Sequence, residues 1–98
     1  MTLIVKAHVS AQGKIVCVTD ASLIGKKFEE GNRQLDFTSN FYKGEQKQKE
    51  MIERMLTSAY LVIFSGKDSV DFGKKAGIVE EDTALVIGGI PHIQCLIG

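Results

Sequence analysis

The sequence predicts an α+β domain in two layers: a mixed or antiparallel sheet of four to five strands with two main helices on one face. Two strand-like segments joined by a short turn open the chain, and two segments of helical periodicity alternate with apolar runs later on. No strict βαβ repeat is present. The 98 residues, 44% hydrophobic and 24% charged, suit one globular domain over residues 1–98.

The first two strands are predicted as an antiparallel hairpin. In residues 2–9, Leu3, Val5, Ala7 and Val9 alternate with Ile4, Lys6 and His8. Residues 14–19 are apolar on both faces, which is typical of an interior strand. Residues 10–13 are too few for a crossover connection, so the two strands should run in opposite directions.

The middle of the chain predicts a turn, a short strand and an aromatic loop. Residues 20–25 read as one helical turn that Asp20 caps and Gly25 ends. Alternation over residues 33–37 predicts a short strand. Residues 38–44 are rich in turn formers and carry the adjacent aromatics Phe41 and Tyr42.

Two helices and three further strands complete the fold. Residues 45–59 form the strongest helical segment, with one apolar stripe of Met51, Ile52, Met55, Leu56 and Ala59. Residues 60–64 predict a buried strand and residues 66–76 a second helix, with Ser65 and Asp68 at capping-box-like spacing. Residues 83–87 and 92–97 predict the last strands.

Charge and composition exclude several classes of protein. Twelve basic and twelve acidic residues give a net charge of zero, so no global field attracts a polyanion. No apolar run approaches the ~18 residues of a membrane helix, so we expect no membrane association. A cytoplasmic location is expected because the two cysteines are more typical of free thiols in a reducing compartment than of a secreted disulfide framework. The acidic run at residues 80–82 is typical of a solvated loop.

Cofactor and metal sites are not indicated by the sequence. Cys17 and Cys95 form no C-x-x-C motif and are expected to be free, buried thiols in a reducing compartment. With His8 and His92 they lack the paired spacing of metal ligands, so we expect no metal. Residues 65–69 follow a strand and open a helix, as a phosphate loop does. Leu61 and Asp68, however, stand where that loop requires glycine and serine or threonine.

Two stretches are candidates for chemistry. Phe41-Tyr42-x-Gly44 is either an exposed aromatic platform or a loop plug over the core. Pro91-His92 follows the glycine pair at residues 88 and 89, which places the histidine at the start of the last predicted strand. There it is either a ligand-binding group or a hydrogen-bonded structural residue. A catalytic pair of His92 with Cys17 or Asp20 is the enzymatic alternative.

These motifs resemble a known family along nearly the whole chain. The residues that carry the resemblance are Cys17-x-x-Asp20, Leu23-x-Gly25-Lys26-x-Phe28-x-x-Gly31, Phe41-Tyr42-x-Gly44, Gly66, Val70 and Gly89-x-Pro91-His92-x-Gln94. They are similar to the small archaeal family called domain of unknown function 424. The resemblance implies an archaeal, cytoplasmic, single-domain α+β protein and implies no activity. Ile93 departs from the small residue expected after the histidine, which narrows any pocket beside His92.

We expect a binding site rather than a catalytic one. Its candidate residues are Lys26, Phe41, Tyr42, Gly44, Pro91, His92 and Gln94. The expected partner is RNA or a ribonucleoprotein of translation, because a locally basic segment carries Lys26, Lys27, Arg33, Lys43 and Lys47 beside the aromatics. The alternatives are a protein-interaction adaptor, with a homodimer left open, and a small enzyme that uses His92 as acid or base.

Overall fold

The computed structural model describes residues 2–80 and 84–97. Its elements, in chain order, are β1 (Leu3–Ser10), β2 (Gly13–Asp20), a 3-10 turn (Ala21–Leu23), β3 (Lys27–Glu30), β4 (Arg33–Asp36), β5 (Glu45–Gln46), α1 (Lys49–Thr57), β6 (Ala59–Ser65), α2 (Lys67–Lys75), β7 (Leu85–Ile87) and β8 (Ile90–Leu96). The predicted α+β class is therefore confirmed.

The main sheet has six strands rather than four to five, in the order β5-β1-β2-β6-β8-β7. The predicted β1–β2 hairpin is antiparallel, β2 and β6 run parallel, and β8 pairs antiparallel with both β6 and β7. The parallel strands β2 and β6 are joined by a long connection that contains the β3–β4 hairpin, β5 and α1.

The additional edge strand is β5, which the sequence assigned to the first helix. Glu45 and Gln46 pair with Val5 and Ile4 of β1, so α1 begins only at Lys49. Gly44 makes this pairing feasible, because a Cβ at this position would overlap the carbonyl group of Val5. The predicted strand over 83–87 starts at Leu85, while residue 83 and the acidic residues 81 and 82 lie outside the described residues.

Both helices cover one face of the sheet. The main core contains Val5, Val16, Val18, Val62 and Phe64 from the strands, packed against Ile52 and Leu56 of α1 and Val70 and Phe72 of α2. Because side chains alternate between the two faces of a strand, the residues between these core residues point to the opposite side of the sheet. We call that side the helix-free face, and its residues are Ile4, Lys6 and His8 of β1, Ile15, Cys17 and Thr19 of β2, Leu61, Ile63 and Ser65 of β6, and His92, Gln94 and Leu96 of β8.

A second, smaller core forms around the β3–β4 hairpin. Leu23, Leu35, Phe37 and Ile87 are its buried residues, with Phe28, Tyr42 and Ile90 packed against them. The hairpin contacts β7, and Gly88 donates its N–H to the Glu30 carboxylate at 3.0 Å. Ile87 and Ile90 point to the helix-free face, so the smaller core packs on one end of that face. The middle and that end of the face are buried, at Cys17, Thr19, Ile63, Ser65 and His92.

The Asp20 prediction was wrong about which helix this residue caps. Asp20 makes no side-chain bond to the turn that follows it. Its carboxylate instead accepts the N–H groups of Asp68 and Ser69 at 3.1 and 2.7 Å, and the Ser69 hydroxyl at 2.7 Å. The first turn of α2 is thus capped from β2, and the predicted Ser65–Asp68 capping box is replaced by this contact.

Candidate functional site on the helix-free face

The register of the sheet places three rows of side chains across the helix-free face. One row contains Ile4, Thr19, Ser65 and His92, the next Lys6, Cys17, Ile63 and Gln94, and the third His8, Ile15, Leu61 and Leu96. Three side chains from each of four strands contribute, and none of them is a carboxylate. Asp20, the acidic residue of these four strands, points to the helix side. A chain without net charge therefore has a face that carries Lys6 and two histidines and no carboxylate.

Phe41 is fixed on this face by His8. The two rings stack with centroids 4.4 Å apart and planes 10° from parallel. His8 Nε2 also donates to the Phe41 carbonyl oxygen at 2.8 Å. Phe41 nevertheless keeps 36% of its surface exposed, so the aromatic ring is both held in place and accessible.

Tyr42 has a different environment from its neighbour. It is half-buried, and its ring meets Phe37 edge to face at a centroid distance of 4.8 Å. Burial, with smaller contributions from Cys17 and Asp36, raises the pKa of Tyr42. Phe41 therefore has the environment of an exposed ring available for stacking, whereas Tyr42 has that of a side chain that covers the core.

The basic residues predicted near this loop divide into paired and unpaired groups. Lys27 pairs with Glu29 at 3.2 Å and Lys47 with Glu45 at 3.1 Å, which neutralises both. Within residues 2–80 and 84–97, Lys26 and Lys43 make no ion pair. Lys26 is bonded through its carbonyl to the Phe37 N–H at 2.8 Å, and Lys43 follows Tyr42, so both border the aromatic loop.

His92 is a buried histidine with one defined partner. It is 8% exposed, and Ser65 Oγ lies 2.9 Å from its Nδ1. Desolvation lowers the pKa of His92 below 6.5, which favours the neutral ring. His92 also lines a cavity of about 420 Å³ together with Leu85, Ile93 and Gln94. The hydrogen bond to Ser65 orients the ring at the wall of this cavity.

The structure does not bring Cys17 or Asp20 to His92. Cys17 lies opposite Ile63, which lies opposite Gln94, so two strand spacings of roughly 10 Å separate Cys17 from β8. Burial raises the pKa of the Cys17 thiol to about 12, the opposite of what a nucleophile needs. Asp20 is committed to α2 on the other side of the sheet. Neither enzymatic pair is assembled by this arrangement.

Of the remaining candidate residues, Gln94 lies on the helix-free face, whereas Pro91 lies on the helix side beside α2. The Pro91 carbonyl accepts the Gly66 N–H at 2.9 Å, which joins β8 to the start of α2. Gln94 is exposed in the same row as Lys6. Both cysteines are free thiols, Cys17 buried and Cys95 half-buried. In the part of the chain that the structure describes, no three His, Cys, Asp or Glu side chains cluster as metal ligands would, and no helix is long and apolar enough to cross a membrane.

Sequence reasoning missed Lys6, His8 and Ser65 as members of this site. The alternation of β1 places Lys6 and His8 on one face, a signal that was visible. Their meeting with Phe41 joins residues 33 positions apart, and the Ser65–His92 bond joins residues 27 apart. Only the tertiary fold creates these contacts.

Comparison with known proteins places the chain in a family. Its fold is similar to the crystal structure of an uncharacterized conserved protein from Methanopyrus kandleri, with a TM-score of 0.77 and 19% identity over 96% of this chain and 90% of that one. No curated protein matches the chain. The model of one family matches residues 8–97. The chain therefore belongs to the family described as "Protein of unknown function (DUF424)", as the sequence motifs had indicated.

Proposed function

We propose that this protein is a non-catalytic module that binds single-stranded RNA across its helix-free face. The observation that carries the proposal is Phe41, an exposed aromatic ring immobilised by His8 on a sheet face that holds no carboxylate. Proteins that bind single strands place bases on such rings and phosphates beside basic side chains, and they use sheet faces to do so.

The charges around Phe41 support a polyanionic partner. Lys6 and His8 lie on the face itself, and the unpaired Lys26 and Lys43 border the loop. Glu45, at the sheet edge, is paired with Lys47. Hydrogen bonds from Thr38 lower the pKa of Asp36, which is one negative charge against Lys6, Lys26 and Lys43. The local field is therefore positive although the whole chain is neutral.

The apolar part of the face supports contact with unstacked bases. Ile15 and Leu61 are half-buried, and Leu96 is 72% exposed in the same row as His8. A strand that stacks one base on Phe41 can cover this surface with the next ones, which removes apolar area from water. A double helix offers no free base faces for such contact, so the proposal specifies single strands.

The test is fluorescence anisotropy of a labelled ten-nucleotide RNA of mixed sequence. Phe41→Ala should weaken binding by about 10-fold or more, because one base–aromatic stack is worth roughly 1–3 kcal/mol. Tyr60→Ala is the matched control, since Tyr60 is 37% exposed but lies outside the helix-free face; it should change affinity less than twofold. Absence of binding by the unsubstituted protein, or equal loss in both variants, contradicts the proposal.

A protein partner is the second candidate, and the edge strand β7 favours it. Leu85 and Val86 are 50% and 55% exposed. Val86 lies opposite Pro91, which has no N–H, so the backbone groups of Val86 point to the free edge of the sheet. An extended segment of a partner, or β7 of a second copy, could add there. Val86→Lys should abolish such binding, or a dimer seen by light scattering, and leave RNA binding unchanged.

A further inference from the structure

We propose that the cavity beside His92 holds one nucleobase of the bound strand, which His92 and Gln94 recognise through hydrogen bonds. The inference rests on the proposed function and adds base recognition to it. The cavity lies on β7 and β8, at the opposite side of the helix-free face from Phe41. Cys17 and Ile63 in the middle of the face are buried, so the accessible path from the Phe41 ring follows Ile15, Leu61 and Leu96 to the exposed Gln94 at this cavity.

The dimensions and lining of the cavity suit a flat heterocycle. Its volume of about 420 Å³ falls within the usual range of small-ligand pockets. Leu85 supplies an apolar wall and remains half-exposed, while His92 and Gln94 supply the polar groups. An apolar wall with few, well-placed polar groups is the usual composition of a site that orients one ring.

The hydrogen bond from Ser65 determines which nitrogen of His92 carries the proton. Ser65 is fully buried, and its hydroxyl has His92 Nδ1 as its partner among the described residues. If Nδ1 carried the proton and donated to Ser65, the serine O–H would be left buried without an acceptor, which is costly. Ser65 therefore donates to Nδ1, and the neutral ring carries its proton on Nε2.

His92 Nε2 is free to meet a ligand. Within residues 2–80 and 84–97, Thr19 Oγ1 is the one fully buried side-chain polar atom that has no hydrogen-bond partner. His92 Nε2 also has no partner there but does not belong to this fully buried class, so it is in contact with solvent. Because Nδ1 is occupied by Ser65, Nε2–H is the donor that His92 can offer to the cavity, and its position is fixed by a buried side chain.

Gln94 complements this donor. It lies two residues further along β8 on the same face, and its exposed side chain offers both a donor and an acceptor. A base edge that presents an acceptor beside a second polar group can bond to both residues at once. Such a pair discriminates among bases, whereas stacking on Phe41 tolerates all of them.

The proposal is tested with five-nucleotide RNAs of uridine, cytidine or adenosine in the same binding assay. The unsubstituted protein should prefer one of the three by at least tenfold. Gln94→Ala should reduce that preference to below threefold without weakening the poorest ligand. Gln34→Ala, which removes another exposed glutamine, from β4, should keep the preference. Equal binding of all three RNAs by the unsubstituted protein, or an unchanged preference in Gln94→Ala, would overturn the inference.

A second measurement does not depend on RNA. Long-range ¹H–¹⁵N correlations of the imidazole should show the Nε2–H tautomer of His92 near neutral pH, and a mixture of tautomers in Ser65→Ala. Observation of the Nδ1–H tautomer in the unsubstituted protein would remove the proposed donor and with it the inference. Loss of all RNA binding would instead contradict the proposed function, so the two failures are distinguishable.

Discussion

Asp20 stabilises the molecule by joining two elements that are 48 residues apart. Its carboxylate accepts two backbone N–H groups and one hydroxyl at the start of α2. These groups would otherwise be unpaired at a helix N-terminus, where a negative charge is also favourable. Gly66 permits the contact, because a Cβ there would overlap the Asp20 carboxylate and its φ of 104° disfavours other residues.

We predict that Gly66→Ala is strongly destabilising. The substitution both strains the backbone and displaces the cap, so we expect a loss of about 2–4 kcal/mol in the free energy of unfolding. Gly77→Ala is the matched control: its φ of 77° is also positive, but a Cβ there meets nothing within 4 Å, so about 1 kcal/mol is expected. Urea unfolding monitored by circular dichroism measures both; equal losses would show that the Asp20 contact contributes little.

His92 should make stability depend on pH. Burial lowers its pKa in the folded protein below the 6.5 of the unfolded chain, so the unfolded state binds more protons between these two values. The contribution of the neutral ring is fully present above about pH 6.5 and is lost as the pH falls toward the folded pKa.

We therefore expect the stability difference between the unsubstituted protein and His92→Gln to shrink as the pH falls from 7.5 to 5. Thermal unfolding at several pH values measures it, with His8→Gln as the control for the second histidine. A difference that is constant over this range would contradict a desolvated, neutral His92.

At the scale of elements, the sequence predicted those parts whose pattern is local. The β1–β2 hairpin followed from alternation and a short turn, and α2 from periodicity that ends near Gly77. β5 was missed because Glu45 and Gln46 have helical character, and only Gly44 and the free edge of β1 draw them into the sheet. Likewise, nothing local in Asp20 indicates that it caps a helix formed 48 residues later.

The two cores should open with different free energies. The main core has thirteen buried residues, twelve on four central strands and two helices and Val79 after α2, whereas the core around β3 and β4 has four. Less buried apolar area means that the smaller unit can open alone. We predict that hydrogen exchange is slowest in β2 and β6 and at least 10-fold faster in β3 and β4. Identical protection in all four strands would indicate one cooperative unit.

At the scale of the whole molecule, the helix-free face carries Lys6 and no carboxylate although the chain has no net charge. The helices carry both signs: α1 has Lys49 and Arg54 with Glu50 and Glu53, and α2 has Lys67, Lys74 and Lys75 with Asp68 and Asp71. The sequence located Phe41, Lys26 and Gln94 as candidates, but alternation alone did not show that Phe41 meets His8. The zero net charge excludes recognition of a polyanion through the overall charge of the chain. Any such binding would have to use a local patch of basic side chains.

The salt dependence of RNA binding should show whether Lys26 and Lys43 contact phosphates. Each phosphate neutralised on a single strand contributes about 0.7 to the slope of log affinity against log salt concentration. Replacement of both Lys26 and Lys43 by glutamine should therefore reduce the slope by about 1.4, and replacement of the exposed helix residue Lys74 should leave it unchanged. An unchanged slope in the double variant would exclude these lysines from the interface.

Nuclear magnetic resonance can follow the binding of single-stranded RNA to the helix-free face residue by residue. Backbone amide and aromatic signals of the labelled protein are followed while unlabelled RNA is added. We expect shifts at Phe41, His8 and Gln94 and along the exposed residues of the same face, with α1 and α2 unaffected. Shifts confined to the helices, or no shifts at millimolar RNA, would contradict it.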